Sequence, residues 1–261
     1  MGERAMKLPK PPPDAEGNVQ VRETIRWSWH RLKFGMVSAV RPYPSLMLPY
    51  ASLVGRGAQR VRSTSEIVIE GFERSGNTFA VTAFSYAQQR PVSIAHHLHA
   101  SSQVIYASRR GIPALVLLRD ARESLLSFLV FHPAVSTTQA MRTWLRFHRP
   151  LLPISDAFVL ARFPTVTSDL GRVIACVNDR FGTAFNEFVH TEDNVRACFR
   201  LMDEGERART ESAWIEETVA RPSAWRDERK VAIGAQLDDA PVRLREEVRE
   251  TYAALHARAD V

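Results

Sequence analysis

Cysteine is scarce in this chain of 261 residues, where only Cys176 and Cys198 occur. Two cysteines cannot build the disulfide framework of a small secreted domain, and neither belongs to a CxxC or His-rich pattern typical of a zinc site. Long apolar runs are also absent, because none approaches the roughly 20 residues that span a bilayer. The N-terminal segment lacks the apolar core of a signal peptide. These absences favour a cytoplasmic protein without a metal cofactor.

The composition is that of a globular protein, with 45% hydrophobic and 25% charged residues. The formal net charge is +6 and the sequence pI is about 9.7. A basic surface serves solubility, but a positive field also concentrates anions in clefts. The length fits one large domain better than two small ones.

The first 65 residues differ from the rest of the chain. Residues 1–20 are Pro-rich and polar, and this composition predicts a disordered tail. Residues 22–34 carry Ile25, Trp29 and Leu32 on one helical face among basic residues. Such a helix either packs on its own domain or lies on an anionic membrane surface, here the inner face. Residues 41–49 contain three prolines, which predict a connector rather than a regular helix.

From residue 66 to residue 261 the pattern predicts one α/β domain. Short apolar runs predict strands at 66–71, 92–95, 114–118 and 157–162. Helical patterns alternate with them at 77–88, 101–110, 121–131, 136–148 and 168–181, the last with Ser168 as N-cap, and a helical extension lies near 240–257. This alternation indicates three layers, with a central, mostly parallel sheet between helices. Ligands of such sheets bind beyond the carboxyl ends of the strands.

The segment GFERSGNT lies between the first predicted strand and the first predicted helix. Its spacing, Gly71-x4-Gly76 followed by Thr78, is that of a phosphate-binding loop, in which backbone N–H groups and the helix dipole select an anion. Arg74 adds a guanidinium, and Ser75 and Thr78 add hydroxyls. Asn77 stands where a triphosphate loop needs lysine. The pattern therefore fits an anion site better than a nucleoside triphosphate site.

A second strand-end motif is RDARESLLS at residues 119–127. Arg119 follows the third predicted strand, and Ser127 comes eight residues later. Taken alone, the Arg-Asp pair at 119–120 is typical of a structural ion pair. Beside the first loop it indicates a second anion contact.

Together these motifs resemble those of the sulfotransferases that use 3′-phosphoadenosine-5′-phosphosulfate (PAPS) as donor. Residues 74–79, Arg-Ser-Gly-Asn-Thr-Phe, resemble the family's 5′-phosphosulfate loop, and residues 119–127 resemble its 3′-phosphate motif. The similarity runs in order from about residue 66 to 190 and includes VNDRFGTAF at 177–185. It implies metal-independent, in-line transfer of a sulfonate to a hydroxyl or amine.

The resemblance also implies roles for single residues. The loop of Arg74, Ser75, Gly76, Asn77 and Thr78 would hold the 5′-phosphosulfate. Phe79 would stack on the adenine. The 3′-phosphate would be held by the following residues: Arg119, Ser127 and Arg221.

The general base is expected in SIAHHLHASS at residues 93–102, because neutral imidazole accepts protons near pH 7. The resemblance aligns His97 with the family's catalytic histidine. His96, His99 and Glu73 remain alternatives. A zinc site of the His-x-His type is disfavoured, because no cysteine or carboxylate partner is near in the sequence.

The chain departs from the family pattern at three places. Ala95 stands where the family has a lysine, and Glu73 replaces a proline. ARPSAWRDERK at 220–230 lacks the glycines of the family's late motif, although its Arg221 and Trp225 correspond. Two other functions stay open: a kinase of the same fold, and a binding or scaffold protein that has lost transfer. The acceptor is expected to be a small molecule, a glycan or a lipid, and no nucleic-acid partner is expected.

Overall fold

The computed structural model describes residue 29 and residues 31–209 and 224–261, of which 209 and 224–227 are described by their backbone alone. Its centre is a four-stranded, all-parallel sheet in the order β2-β1-β3-β4. The strands are β1 Ile67–Gly71, β2 Ile94–His96, β3 Ala114–Leu118 and β4 Val159–Arg162. The predicted α/β class and the parallel sheet are confirmed.

Helices follow the strands in alternation. The helix α1 covers residues 31–40, and the others are α2 Pro44–Leu53, α3 Asn77–Ala87, α4 Ser101–Ser108, α5 Ala121–Phe131, α6 Thr137–His148, α7 Phe163–Ser168, α8 Leu170–Phe181, α9 Glu192–Arg209, α10 Ala224–Asp238 and α11 Val242–His256. A 3₁₀ segment, Arg149–Ala157, joins α6 to β4.

The two faces of the sheet bury different helices, because successive strand residues point to opposite sides. One face, with Val68 and Val116, packs against α2, α4, α5, α6 and α11 around Trp144. The other face, with Ile67 and Leu115, packs against α3, α8 and α9. Residues that point to either face of β1 and β3 are buried, which explains their continuous apolar runs.

The order of the strands determines where a site can form. The chain leaves β1 through α3 to reach β2 on one side, and it returns through α4 to β3 on the other side. The carboxyl ends of β1, β2 and β3 therefore meet at a point where the strand order reverses. The loops 72–76, 97–100 and 119–120 all lie at this edge.

The prediction of a connector over residues 41–49 is wrong, because α2 begins at Pro44. A proline at the first helical position loses nothing, since its missing N–H would have no partner inside the helix. Only Pro49 lies in the helix interior. Burial of Met47, Leu48 and Ala51 offsets the one bond that Pro49 cannot donate.

The helix predicted over 168–181 is α8, which begins at Leu170, and a separate short helix, α7, ends at Ser168. The N-cap of α8 is Asp169, whose side chain accepts from the Arg172 N–H at 3.1 Å. Ser168 instead ends α7, and its hydroxyl donates to the Pro164 carbonyl. The predicted cap at Ser168 is therefore displaced by one residue.

The predicted basic helix near the N-terminus continues beyond residue 34 as α1, whereas Ile25 lies outside the described residues. This helix packs on α6 through Ser38, whose hydroxyl bonds that of Thr143 at 2.9 Å. Its other face leaves Trp29 and Leu32 exposed. No helix among the described residues is long and apolar enough to cross a membrane.

Candidate functional site

The loop after β1 turns sharply onto the N-terminus of α3. Two residues in it have left-handed backbone angles, Arg74 with φ of 71° and Gly76 with φ of 86°. The Ser75 N–H closes the turn by donating to the Phe72 carbonyl at 3.2 Å. Backbone N–H groups in the first turn of a helix have no partner within the helix. Those at the start of α3 therefore present donors, and the positive end of the helix dipole, to a bound anion.

Asn77 holds this loop from beneath. Its side chain is buried, and its amide donates to the Phe72 carbonyl at 3.0 Å. A Cβ on Gly71 would lie 3.0 Å from Asn77 Oδ1 and 3.0 Å from the Leu117 carbonyl oxygen. Gly71 thus lets the loop approach β3 closely. The Asn77 side chain braces the turn, and only its backbone is available to a ligand.

The two strand-end motifs converge at this loop. Arg74 Nε donates to Ser127 Oγ at 3.3 Å, and Arg119 Nη1 donates to the Arg74 carbonyl at 2.8 Å. Ser75 Oγ is buried and has no hydrogen-bond partner among the described residues. These contacts bring together the guanidiniums of Arg74 and Arg119, the hydroxyls of Ser75 and Ser127, and the N-terminus of α3. In the chain, 45 residues separate Arg119 from Arg74.

Aromatic rings and a carboxylate hold the two guanidiniums in place. Arg74 lies 5.2 Å from the centroid of the Phe131 ring, and Arg119 lies 4.7 Å from that of Phe163. Arg119 Nη2 also pairs with Glu123 at 3.4 Å. Lys230 of α10 reaches the same carboxylate at 3.2 Å, so a third cation stands behind Arg119.

The histidine segment after β2 adopts an unusual backbone that Glu70 stabilises. His97 and His99 both have positive φ, 57° and 51°. The fully buried Glu70 carboxylate accepts the N–H of Leu98 at 2.8 Å and that of His99 at 3.0 Å. Gln103 Nε2 donates to the same carboxylate at 2.7 Å. Burial raises the pKa of Glu70 to about 7, although these three donors act to lower it.

His97 lies at the rim of the loop between β1 and α3. Its Nε2 lies 3.2 Å from Thr78 Oγ1, in the first turn of α3. Its Nδ1 lies 2.6 Å from Nδ1 of His96, so one of these two nitrogens carries the shared proton. Burial, and then the charge of Arg56, lower the pKa of His96.

His99 is fixed on the other side of the segment. Its Nδ1 lies 3.0 Å from the Gly71 carbonyl, which can only accept, so Nδ1 carries the proton and Nε2 has a free lone pair. Burial lowers the pKa of His99 to about 4, against the charge of Glu73. His99 is therefore neutral at pH 7, and its ring centroid lies 5.7 Å from that of His97.

Glu73 forms a buried ion-pair group that the sequence did not indicate. Its carboxylate lies 3.0 Å from Arg41 Nη2 and 2.6 Å from His132 Nε2. Burial acts to raise the pKa of Glu73, but the charges of His132 and Arg41 and the His132 hydrogen bond hold it well below the usual value. A carboxylate with these partners is a weak base at neutral pH.

The resemblance also gave roles to Phe79 and Arg221. Phe79 is 7% exposed, and its ring packs 5.9 Å from Phe199 and 6.3 Å from Phe188. Ala95 is buried in β2. Arg221 lies outside the described residues.

Three contributors to the site were missed in the sequence: Glu70, Arg41 and His132. Glu70 carried a signal, because it is a carboxylate in an otherwise apolar strand directly before a glycine. Arg41 and His132 carried none, since they are 32 and 59 residues from Glu73 in the chain. The described residues contain no group of three or more His, Cys, Asp or Glu side chains arranged to hold a metal ion.

Comparison with solved structures finds the mouse sulfotransferase SULT7A1 complexed with PAP. The superposition has a TM-score of 0.42 at 10% sequence identity, and it covers 82% of this chain and 92% of that one. No protein-family model matches the sequence. No curated protein matches it either.

Proposed function

We propose that this protein is a sulfotransferase that moves a sulfonate from PAPS to a hydroxyl or amine of a small-molecule, glycan or lipid acceptor. The observation that carries the proposal is the convergence of Arg74, Arg119 and Ser127 at the N-terminus of α3, with His97 on its rim. Arg74, His97 and Arg119 come from three strand ends at the topological switch of the sheet, and Ser127 lies on α5. They offer separate anion contacts and a base within one site.

The residues present fit the anionic groups of this donor. Backbone N–H groups at Gly76 to Thr78 and the Ser75 hydroxyl, which has no partner among the described residues, suit the 5′-phosphosulfate. Arg119, at the neighbouring strand end, and Ser127, on α5, suit a second phosphate on the ribose. We expect Arg74 to release Ser127 when the ligand enters, because a charged acceptor binds a guanidinium more strongly than a hydroxyl does. We also assign Arg221 to the 3′-phosphate on the resemblance alone.

In the proposed reaction the acceptor oxygen attacks the donor's sulfur as the bond from sulfur to the bridging phosphate oxygen breaks. His97 Nε2 accepts the acceptor's proton, which requires that His97 Nδ1 carry the proton of the hydrogen bond to His96 Nδ1. Arg74 and the amides of the α3 N-terminus stabilise the charge that develops on the departing phosphate.

His97 is preferred over the alternatives as the base. Its Nε2 is already beside Thr78, where the sulfonate is expected. His99 is a weak base because burial lowers its pKa to about 4. Glu73 is neutralised by two partners. A transfer assay with radiolabelled PAPS and a panel of phenols, alcohols, amines and glycans tests the proposal, and the absence of any labelled product would favour a binding or scaffold protein.

A kinase is the second candidate, because the loop geometry alone would accept other phosphates. The position that would carry the phosphate-binding lysine holds Asn77, whose side chain is buried beneath the loop. Phosphoryl transfer from ATP with Mg²⁺ to the same panel, in the absence of sulfonate transfer, would establish the kinase instead.

A further inference from the structure

A second basic site lies on the helical layer that contains α2, α4, α6 and α11, away from the loops of the donor site. It is a groove of about 830 Å³. Five arginines and one glutamate line it: Arg109, Arg142, Arg146, Arg149, Arg243 and Glu247. None of these residues belongs to the loops at the carboxyl edge of the sheet.

The charges in the groove are only partly compensated. Glu247 pairs with Arg149 at 3.2 Å and with Arg243 at 3.2 Å, so one carboxylate serves two arginines. Arg146 donates to the Ser38 hydroxyl at 3.2 Å. Arg109 and Arg142 are exposed, and neither has an ion-pair partner among the described residues. The groove therefore retains a net positive charge.

Exposed apolar side chains stand beside this charge. Tyr43 lines the groove and is 57% exposed. Leu46 and Leu53 follow it on the same face of α2 and are 54% and 86% exposed. Val242, which lies in the chain between the lining residues Pro241 and Arg243, is 59% exposed. Large apolar residues scattered singly on a surface are ordinary, but here they flank a cluster of arginines.

We infer that this face docks on an anionic lipid bilayer, with the arginine groove on the headgroups and Tyr43, Leu46 and Leu53 in the interfacial region. Basic residues beside exposed apolar ones make the composition of surfaces that lie in a membrane interface. Each arginine near an anionic bilayer adds attraction, and the apolar residues add burial. A soluble polyanion would use the charge but would leave the leucines of α2 without a role.

The test is sedimentation of the full-length protein with vesicles of phosphatidylcholine alone and of phosphatidylcholine mixed with phosphatidylglycerol. The protein is expected to sediment with the mixed vesicles only. The double variant Arg109→Gln/Arg142→Gln should lower the partition coefficient by roughly tenfold to thirtyfold, because each arginine contributes about 1 kcal/mol near such a surface. Leu46→Ser/Leu53→Ser should lower it at least fivefold.

Matched controls lie on the other layer of the sheet. Arg172→Gln/Arg200→Gln removes the same charge from exposed positions, and Val189→Ser/Leu201→Ser removes the same kind of apolar surface. Both are expected to partition within twofold of the parent. Equal losses of vesicle binding in Arg109→Gln/Arg142→Gln and in its control would overturn the inference, since any exposed positive charge would then contribute equally to binding.

Three other results would also overturn it. If Leu46→Ser/Leu53→Ser left sedimentation with the vesicles unchanged, insertion of these leucines into the bilayer would be excluded. The protein could instead bind inorganic phosphate or glycerol phosphate in calorimetry but no vesicles. If Arg109→Gln/Arg142→Gln abolished that binding, the groove would be a site for a soluble anion. The protein could also form a dimer and bind no vesicles. If Leu46→Ser/Leu53→Ser dissociated that dimer, a second copy of the chain would be the partner.

Discussion

Glu70 is the residue on which the geometry of the candidate base depends. A strand side chain in such a core is normally apolar, yet Glu70 is fully buried. Its two carboxylate oxygens accept hydrogen bonds from three N–H donors. Two of these donors are backbone groups of the segment that holds His97 and His99. A non-glycine residue with positive φ is strained, and here two such residues persist in one short segment. We conclude that the buried carboxylate stabilises the strained backbone.

Replacing His97 tests its assignment as the base. His97→Ala is expected to lower kcat by about 10² to 10⁴-fold, because general-base catalysis is lost. The affinity for 3′-phosphoadenosine-5′-phosphate (PAP), the donor without its sulfonate, should stay within a few fold, because the anion contacts remain. Steady-state kinetics with titration calorimetry measures both effects, and His256→Ala on α11 is the matched control. A loss of kcat in His99→Ala instead, with an acidic limb of kcat/KM near pH 4, would assign the base to His99.

The raised pKa of Glu70 predicts a pH dependence of stability. The pKa of Glu70 is about 7 in the folded protein and near the ordinary value of 4.5 in the unfolded chain, so between these values the folded protein binds more protons than the unfolded chain. The contribution of Glu70 to the free energy of unfolding is therefore greatest below about pH 4.5 and falls as the pH rises to about 7, by about 3 kcal/mol.

Glu70→Gln removes this titration. The stability of the parent relative to Glu70→Gln should decline from pH 4.5 to 7 and stay level above it, as measured by urea unfolding at a series of pH values. His99 must be intact in both proteins, because its lowered pKa makes stability rise over a similar range. A difference between the two proteins that is independent of pH would contradict the account of Glu70.

At the scale of elements, the loop between β1 and α3 needs a glycine at residue 71. Gly71→Ala would place a Cβ 3.0 Å from the Leu117 carbonyl and 3.0 Å from Asn77 Oδ1, so the strand or the loop must shift. We expect a loss of about 1 to 3 kcal/mol in the free energy of unfolding and at least tenfold weaker binding of PAP. Chemical denaturation and calorimetry measure the two losses.

Gly205→Ala is the control for this change. Gly205 lies in α9, and no atom stands within 4 Å of the position that its Cβ would take. That variant should be as stable as the parent, or more stable by about 0.5 to 1 kcal/mol, because alanine favours a helix. Gly71→Ala with unchanged stability and PAP affinity would show that the loop does not need this close approach.

The sequence predicted those elements whose periodicity alone determines them. The strand β3 and the helix α5 begin and end at the predicted residues, because both are continuous apolar patterns with clear ends. The helix α2 was missed because its prolines dominate the local pattern, although burial of its apolar side decides the outcome. Helices α9 and α10 were not predicted, since charged residues blur their periodicity.

The same distinction holds for the site. The anion loop and Arg119 were visible because each is a local motif at a strand end. That Arg119 contacts the Arg74 carbonyl and that Ser127 contacts Arg74 depends on the strand order β1-β3, which no local pattern specifies. The pairing of Glu73 with Arg41 and His132 is likewise a tertiary contact, and it makes Glu73 a structural carboxylate rather than a free one.

At the scale of the whole molecule, the C-terminal residues protect the edge strand β4. The Asp260 N–H donates to the Leu160 carbonyl at 2.9 Å, and the Asp260 side chain accepts the Leu160 N–H at 2.8 Å. Arg180 of α8 binds the other carboxylate oxygen. An edge strand otherwise presents unpaired backbone groups. These contacts tie the last residues of the chain to the sheet, 100 residues from β4.

Asp260→Ala is therefore expected to destabilise the protein by about 1 to 3 kcal/mol, since it leaves the Leu160 N–H without its acceptor. Thermal and urea unfolding measure the loss. Asp193→Ala, which removes an exposed partner of Arg196 on α9, should change stability by less than about 1 kcal/mol. Equal effects of the two substitutions would show that β4 does not depend on the Asp260 contacts.

Binding of PAP is the decisive measurement, because we propose that two strand-end motifs form one site for a sulfonate donor with a 3′-phosphate. Titration calorimetry should compare PAP, adenosine-5′-phosphosulfate and ATP with Mg²⁺ on the parent, on Arg119→Ala and on Arg110→Ala, an arginine that stacks on Tyr106 instead. We expect PAP to bind most tightly, and we expect Arg119→Ala to weaken its binding at least tenfold while Arg110→Ala does not. Tighter binding of ATP than of PAP, or PAP binding that Arg119→Ala leaves unchanged, would contradict this proposal.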